Sequence, residues 1–160
     1  MLRIALYLLP ALFIFGCVNA PEFPDEPVIT YEGVNKREIF QFTNGPVDSI
    51  EFHFSFTDGD GDLSQDSVDI FFTDSRLGTI TPFRIPGFPA EGTGNGISGD
   101  VFVTLVNTTG VCCIFNNRIC FANEALPVDT VSYAIQIMDR AGNLSNTIRS
   151  EVIEIKCLGE

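Results

Sequence analysis

Asp58-Gly59-Asp60-Gly61-Asp62-Leu63-Ser64-Gln65-Asp66 places four carboxylates in one short run, with glycine between the first three. Calcium takes six to eight oxygens at roughly 2.3–2.6 Å, and alternate carboxylates in a wrapping loop converge on such an ion where glycine lets the backbone turn tightly. Asp58, Asp60, Asp62 and Asp66 are therefore candidate calcium ligands, and the ion would be structural, stiffening a connection between strands. The run is not an EF-hand. Leu63 replaces the turn glycine, Asp69 stands where a bidentate Glu is usual, and the flanks alternate as strands. Aspartate and glycine also suit any exposed turn, so the alternative is a solvated hairpin end with no ion. Against it, crowded carboxylates repel one another and destabilise the loop unless a cation is present.

The next chemistry lies at the start of the chain. Arg3, an apolar run from Ile4 to Phe15 and a small residue, Gly16, have the layout of a secretory signal peptide. The run is broken by Pro10 and falls short of the roughly 20 apolar residues that cross a bilayer. Ile14-Phe15-Gly16-Cys17 resembles the lipobox of bacterial lipoproteins. That resemblance implies diacylglycerol on the Cys17 sulfur, cleavage after Gly16, acylation of the new amino terminus, and anchorage in the envelope, at the outer membrane. Two or more acyl chains hold firmly where one binds only marginally. The alternative is ordinary secretion with cleavage near Ala20.

Export decides how the remaining cysteines are read. Cys112, Cys113, Cys120 and Cys157 are even in number, and an oxidising compartment favours disulfides over thiols. Four cysteines allow three pairings. Neighbouring Cα atoms lie about 3.8 Å apart across a trans peptide, below the usual disulfide span, so two pairings remain open, each joining Cys112 and Cys113 to Cys120 and Cys157. A four-thiolate zinc site is the alternative, but the adjacent pair lacks the spacer such sites use.

Enzyme chemistry finds little support. His53 is the single histidine and sits mid-strand on the polar side. A general base needs an orienting partner and a pocket, and Asp58 is too far along the chain to be assigned that role. There is no nucleophile elbow, metalloprotease helix or phosphate-cradling loop. Two carboxylates suffice to hydrolyse a glycoside, but nothing separates any two acids from the rest. Stacking on sugars through Tyr31, Phe83 or Phe88 stays open.

These residues must be positioned by strands. From near Val28 the dominant signal is alternation with period two. Between Asp48 and Phe56 it puts Ile50, Phe52, Phe54 and Phe56 on one face and Ser49, Glu51, His53 and Ser55 on the other. Residues 130–139 place Val131, Tyr133, Ile135 and Ile137 together, and further strands are expected at 39–43, 68–73, 80–85, 100–107 and 147–155. Turn chemistry separates them at Asn44-Gly45-Pro46, the aspartate–glycine run, 92–99 and Ala141-Gly142-Asn143. About seven short strands with no helix predict an all-β fold, a β-sandwich or barrel.

Tyr133 to Ser145 resembles the final hairpin of bacterial immunoglobulin-like and fibronectin type III-like surface domains. Leu126, Pro127, Thr130 and Tyr133 resemble the approach to a tyrosine corner, in which a buried hydroxyl ties down a neighbouring connection. The resemblance implies an immunoglobulin-like sandwich over 28–160. The chain has no Trp, so its 15 phenylalanines must fill the core. Residues 1–16 are then the signal, and 17–27, with three prolines and three acids in its last ten positions, a lipidated tether.

Removing 16 of 160 residues leaves 144, enough for one domain. It takes away Arg3 and no acid, so the formal charge moves from −12 to −13. Nucleic acid is bound through Lys and Arg patches, and no basic run exceeds Lys36-Arg37, so nucleic acid is not an expected partner. The expectation is a lipid-anchored, non-catalytic binding or structural module of the cell envelope with a protein or glycan partner. An adhesin or glycan-capture module is the first alternative, and an unrecognised hydrolase the second.

Overall fold

The computed structural model describes residues 22–63, 69–85 and 96–158. In chain order its strands are β1 (Val28–Val34), β2 (Glu38–Phe42), β3 (Ser49–Asp58), β4 (Ile70–Asp74), β5 (Ile80–Phe83) and β6 (Ile97–Val106). There follow β7 (Ile114–Phe115), β8 (Arg118–Ile119), β9 (Val128–Val131), β10 (Tyr133–Ile137), β11 (Ile148–Arg149) and β12 (Ile153–Leu158). The fold is all-β, and no helix among the described residues is long and apolar enough to cross a membrane.

Three sheets carry the fold, ordered β1-β3-β6, β11-β10-β4-β5 and β2-β12-β9, with β7 and β8 as a separate hairpin. All pairs are antiparallel except β2 with β12. The expected strand at 130–139 is divided at Ser132 and that at 147–155 at 150–152. The break has a local cause: the Tyr133 amide donates to the Ser150 hydroxyl, at 2.9 Å, in place of a strand carbonyl. β1 extends the expected domain start into a full strand. The β7–β8 hairpin was not expected, although Asn116 (φ 49°) and Asn117 (φ 62°) are the left-handed pair that a tight two-residue turn requires.

Alternation explains how the sheets meet. In β3 every second residue is buried, so Ile50, Phe52, Phe54 and Phe56 form one column. Phe52 meets Phe72 of β4 edge-on at 5.1 Å and Tyr133 of β10 at 5.5 Å, so the β1-β3-β6 and β11-β10-β4-β5 sheets share one core. The Tyr133 hydroxyl donates to the Gly110 carbonyl at 2.8 Å, fastening the connection after β6. Two disulfides lock the same region: Cys112–Cys120 and Cys113–Cys157, with Cα separations of 4.7 and 6.0 Å. The adjacent cysteines thus reach different partners, one close in the chain and one far along it. Arg76 braces the segment, donating to Asp74, Asp129 and the Cys112 carbonyl.

Candidate metal centre

The parity of β3 determines what happens at its end. Continuing the inward column Ile50, Phe52, Phe54, Phe56 by two residues puts Asp58 on the buried side, and Asp58 is fully buried. Its Oδ2 accepts the Leu63 amide at 3.1 Å, while its Oδ1 is buried with no hydrogen-bond partner among the described residues. An ionised oxygen without a donor is costly in such a place.

The loop then returns two more carboxylates to the same point. One oxygen from each of Asp58, Asp60 and Asp62 lies within 4.8 Å of the other two, a span that fits three ligands around one ion at calcium distances. Asp60 Oδ1 accepts the Asp62 amide at 3.3 Å, which keeps the loop folded on itself. Asp62 Oδ2 accepts the Ala141 amide at 3.1 Å, and its Oδ1, like that of Asp58, is buried without a hydrogen-bond partner among the described residues. Gly59 is needed for close approach. Its amide donates to the Pro24 carbonyl at 2.7 Å, and a Cβ there would collide with the Phe23 and Pro24 carbonyls.

Electrostatics describes the same crowding. Burial, then repulsion from Asp60 and Asp62, pushes the Asp58 carboxyl up to about 6, against the stabilising Leu63 amide. Burial and then the charges of Asp139 and Asp60 also raise Asp62, opposed by the Arg140 and Ala141 amides. A divalent cation among these oxygens would turn the repulsion into attraction.

Asp58, Asp60 and Asp62 are thus brought together, and Asp66 lies outside the described residues, as does Cys17. Sequence reasoning missed Asp139. It is buried behind Asp62, and its carboxylate accepts both the Asn143 amide and the Asn143 side-chain NH2, each at 2.7 Å. The sequence marks Ala141-Gly142-Asn143 as a turn and ends the 130–139 strand at Asp139, and neither reading brings that carboxylate to Asp62. Asp69 is also fully buried, its backbone joined to Phe83 and Met138.

The other sequence candidates fall elsewhere. His53 lies on the outer face of β3, its Nε2 2.7 Å from Asp100 Oδ1, so its partner comes from β6 and not from Asp58. Tyr31 and Phe83 are partly buried and packed against the core. The Tyr31 hydroxyl is bonded to Glu151, and Phe83 packs on Phe72 with centroids 5.4 Å apart. Phe88 lies outside the described residues. No family model, no curated protein and no solved structure matches the chain.

Proposed function

We propose that the protein is a lipid-anchored, non-catalytic binding or structural module of the bacterial cell envelope, an immunoglobulin-like β-sandwich stiffened by calcium at its Asp58–Asp62 loop. The observation that carries export is the pair of disulfides around the adjacent cysteines, which belong to an oxidising compartment. The immunoglobulin-like assignment is supported by two facing sheets and by the buried Tyr133 hydroxyl tied to the connection after β6. Calcium is supported by the buried, donorless Asp58 Oδ1 among converging carboxylates. The non-catalytic reading is supported by the open setting of the His53–Asp100 pair.

A second reading, glycan capture, is favoured by one observation. Phe40 and Phe42 share the outer face of β2 and are each 38% exposed, with Leu158 the register partner of Phe42.

The test is membrane fractionation of the parent and Cys17→Ser, with protease shaving of intact and lysed cells. The proposal expects Cys17→Ser to leave the membrane fraction, and full retention would overturn the anchor. Shaving from intact cells would favour adhesion or capture outside, whereas cleavage only after lysis would favour a periplasmic role.

A further inference from the structure

We propose that a hollow on the outer face of the β1-β3-β6 sheet receives the guanidinium of an arginine side chain from a partner polypeptide, stacked on His53 and paired with Glu32 and Glu51. His53 stands mid-β3, facing away from the phenylalanine column. Its register partner on β6 is Phe102, whose ring lies flat on the imidazole, centroids 4.4 Å apart and planes 10° apart, while remaining 59% exposed. Its register partner on β1 is Gly33, which carries no side chain. The imidazole face turned away from Phe102 therefore looks over bare backbone.

The glycine is there for a reason. The register of β1 shifts between Tyr31 and Gly33, and Gly33 adopts φ 140°, where side chains are strained. A Cβ at that position would meet nothing within 4 Å. The result is a hollow of about 250 Å³, with Glu32, Asn35, Glu51, His53 and Phe102 among its lining residues.

The chemistry of the lining selects the ligand. Glu32 accepts the Ser55 hydroxyl at 2.9 Å, and no Lys or Arg among the described residues pairs with Glu32 or Glu51. Two carboxylates beside an open aromatic face suit a planar, weakly hydrated cation, which stacks on the ring and donates to both acids. An ammonium would pair but not stack, and a neutral sugar would leave both charges uncompensated. The chain's formal charge of −12 draws basic partners in the same direction. The inference rests on the reading as a binding module and not on the anchor or calcium: His53 precedes Asp58 by five residues of strand, about 17 Å.

His53 is the chain's one histidine, so its imidazole Hε1 is a single isolated NMR reporter. The full-length protein, in detergent where membrane-held, is titrated with N-acetylarginine amide up to about 50 mM, the range that detects millimolar affinity. The expected result is a saturable upfield shift, at least about fivefold weaker with N-acetyl-lysine amide and weakened about tenfold by Glu51→Gln or Glu32→Gln. Amide spectra check that each variant is folded. No saturable shift, an equal response to the lysine probe, an equal or larger response to methyl glucoside, or indifference to both Glu variants would each overturn the proposal.

Discussion

The two disulfides close loops of very different length, and this ranks their contributions to stability. Cys112 and Cys120 are 8 residues apart and Cys113 and Cys157 are 44 apart. In the chain-entropy account a cross-link stabilises by restricting the unfolded chain in proportion to the logarithm of loop length. The short loop is then worth about 2.5 kcal/mol and the long one about 4 kcal/mol at room temperature. Packing widens the gap. Cys113 and Cys157 are both buried in the core, and the Cys113 amide donates to the Gln41 side chain at 2.6 Å. Urea unfolding of Cys112→Ala/Cys120→Ala and Cys113→Ala/Cys157→Ala, beside the parent, should show the second variant weaker by about 1.5 kcal/mol or more, roughly 5 °C in melting temperature. A domain of this size has about 5–15 kcal/mol to lose, so the long-loop variant should be close to unfolding at growth temperature. If removing Cys112–Cys120 costs as much as removing Cys113–Cys157, the entropic ranking is wrong.

Three further outcomes are expected. Calcium at about 10 mM should raise the parent's melting temperature by roughly 5–8 °C, as for an extracellular site of submillimolar affinity, and Asp58→Asn should abolish the gain; a parent curve unmoved by calcium would remove the ion from the proposal. In chelator, the raised Asp58 carboxyl binds its proton more tightly folded than unfolded, so stability should fall as pH rises from about 4 to about 6 and then level off. Chemical unfolding across that range should show the fall in the parent and not in Asp58→Asn. At Asp74, burial pushes the carboxyl up, but the hydrogen bonds and charge of Arg76 together outweigh it and hold it below the ordinary range. Its contribution is therefore present above about pH 4 and lost on further acidification, and Arg76→Ala, which strands Asp74 and Asp129, should cost about 3–5 kcal/mol by urea unfolding at pH 7.

What the sequence made legible is what short-range periodicity encodes. The alternation of β3 predicts its buried phenylalanines, and extended by two residues it predicts the burial of Asp58 as well. The aspartate–glycine spacing identified the loop that gathers three carboxylates. Asp139 was not legible because its approach to Asp62 depends on β10 and the turn after it returning to the end of β3, a contact that no local period records. The same holds for His53 with Asp100, 47 residues apart, and for the choice between the two cysteine pairings. Nor does alternation distinguish an outward aromatic residue from an inward one at a register shift. Tyr31 and Phe83 are partly buried against the core, while Phe40, Phe42 and Phe102 are the exposed phenylalanines among the described residues.

The bond from Gly59 to Pro24 has a mechanical consequence. It pins the chain to the acidic loop seven residues after Cys17, and a leash of seven residues spans at most about 25 Å. On the proposed anchoring, this acidic pole of the domain would lie within that distance of the lipid. Calcium would then act as a footing as well as a rivet: a pull on the domain would pass from the acyl chains through Pro24 into the loop and along β3. Held by that pole, the module would present its flanks to passing molecules, and the His53 hollow lies on one of them.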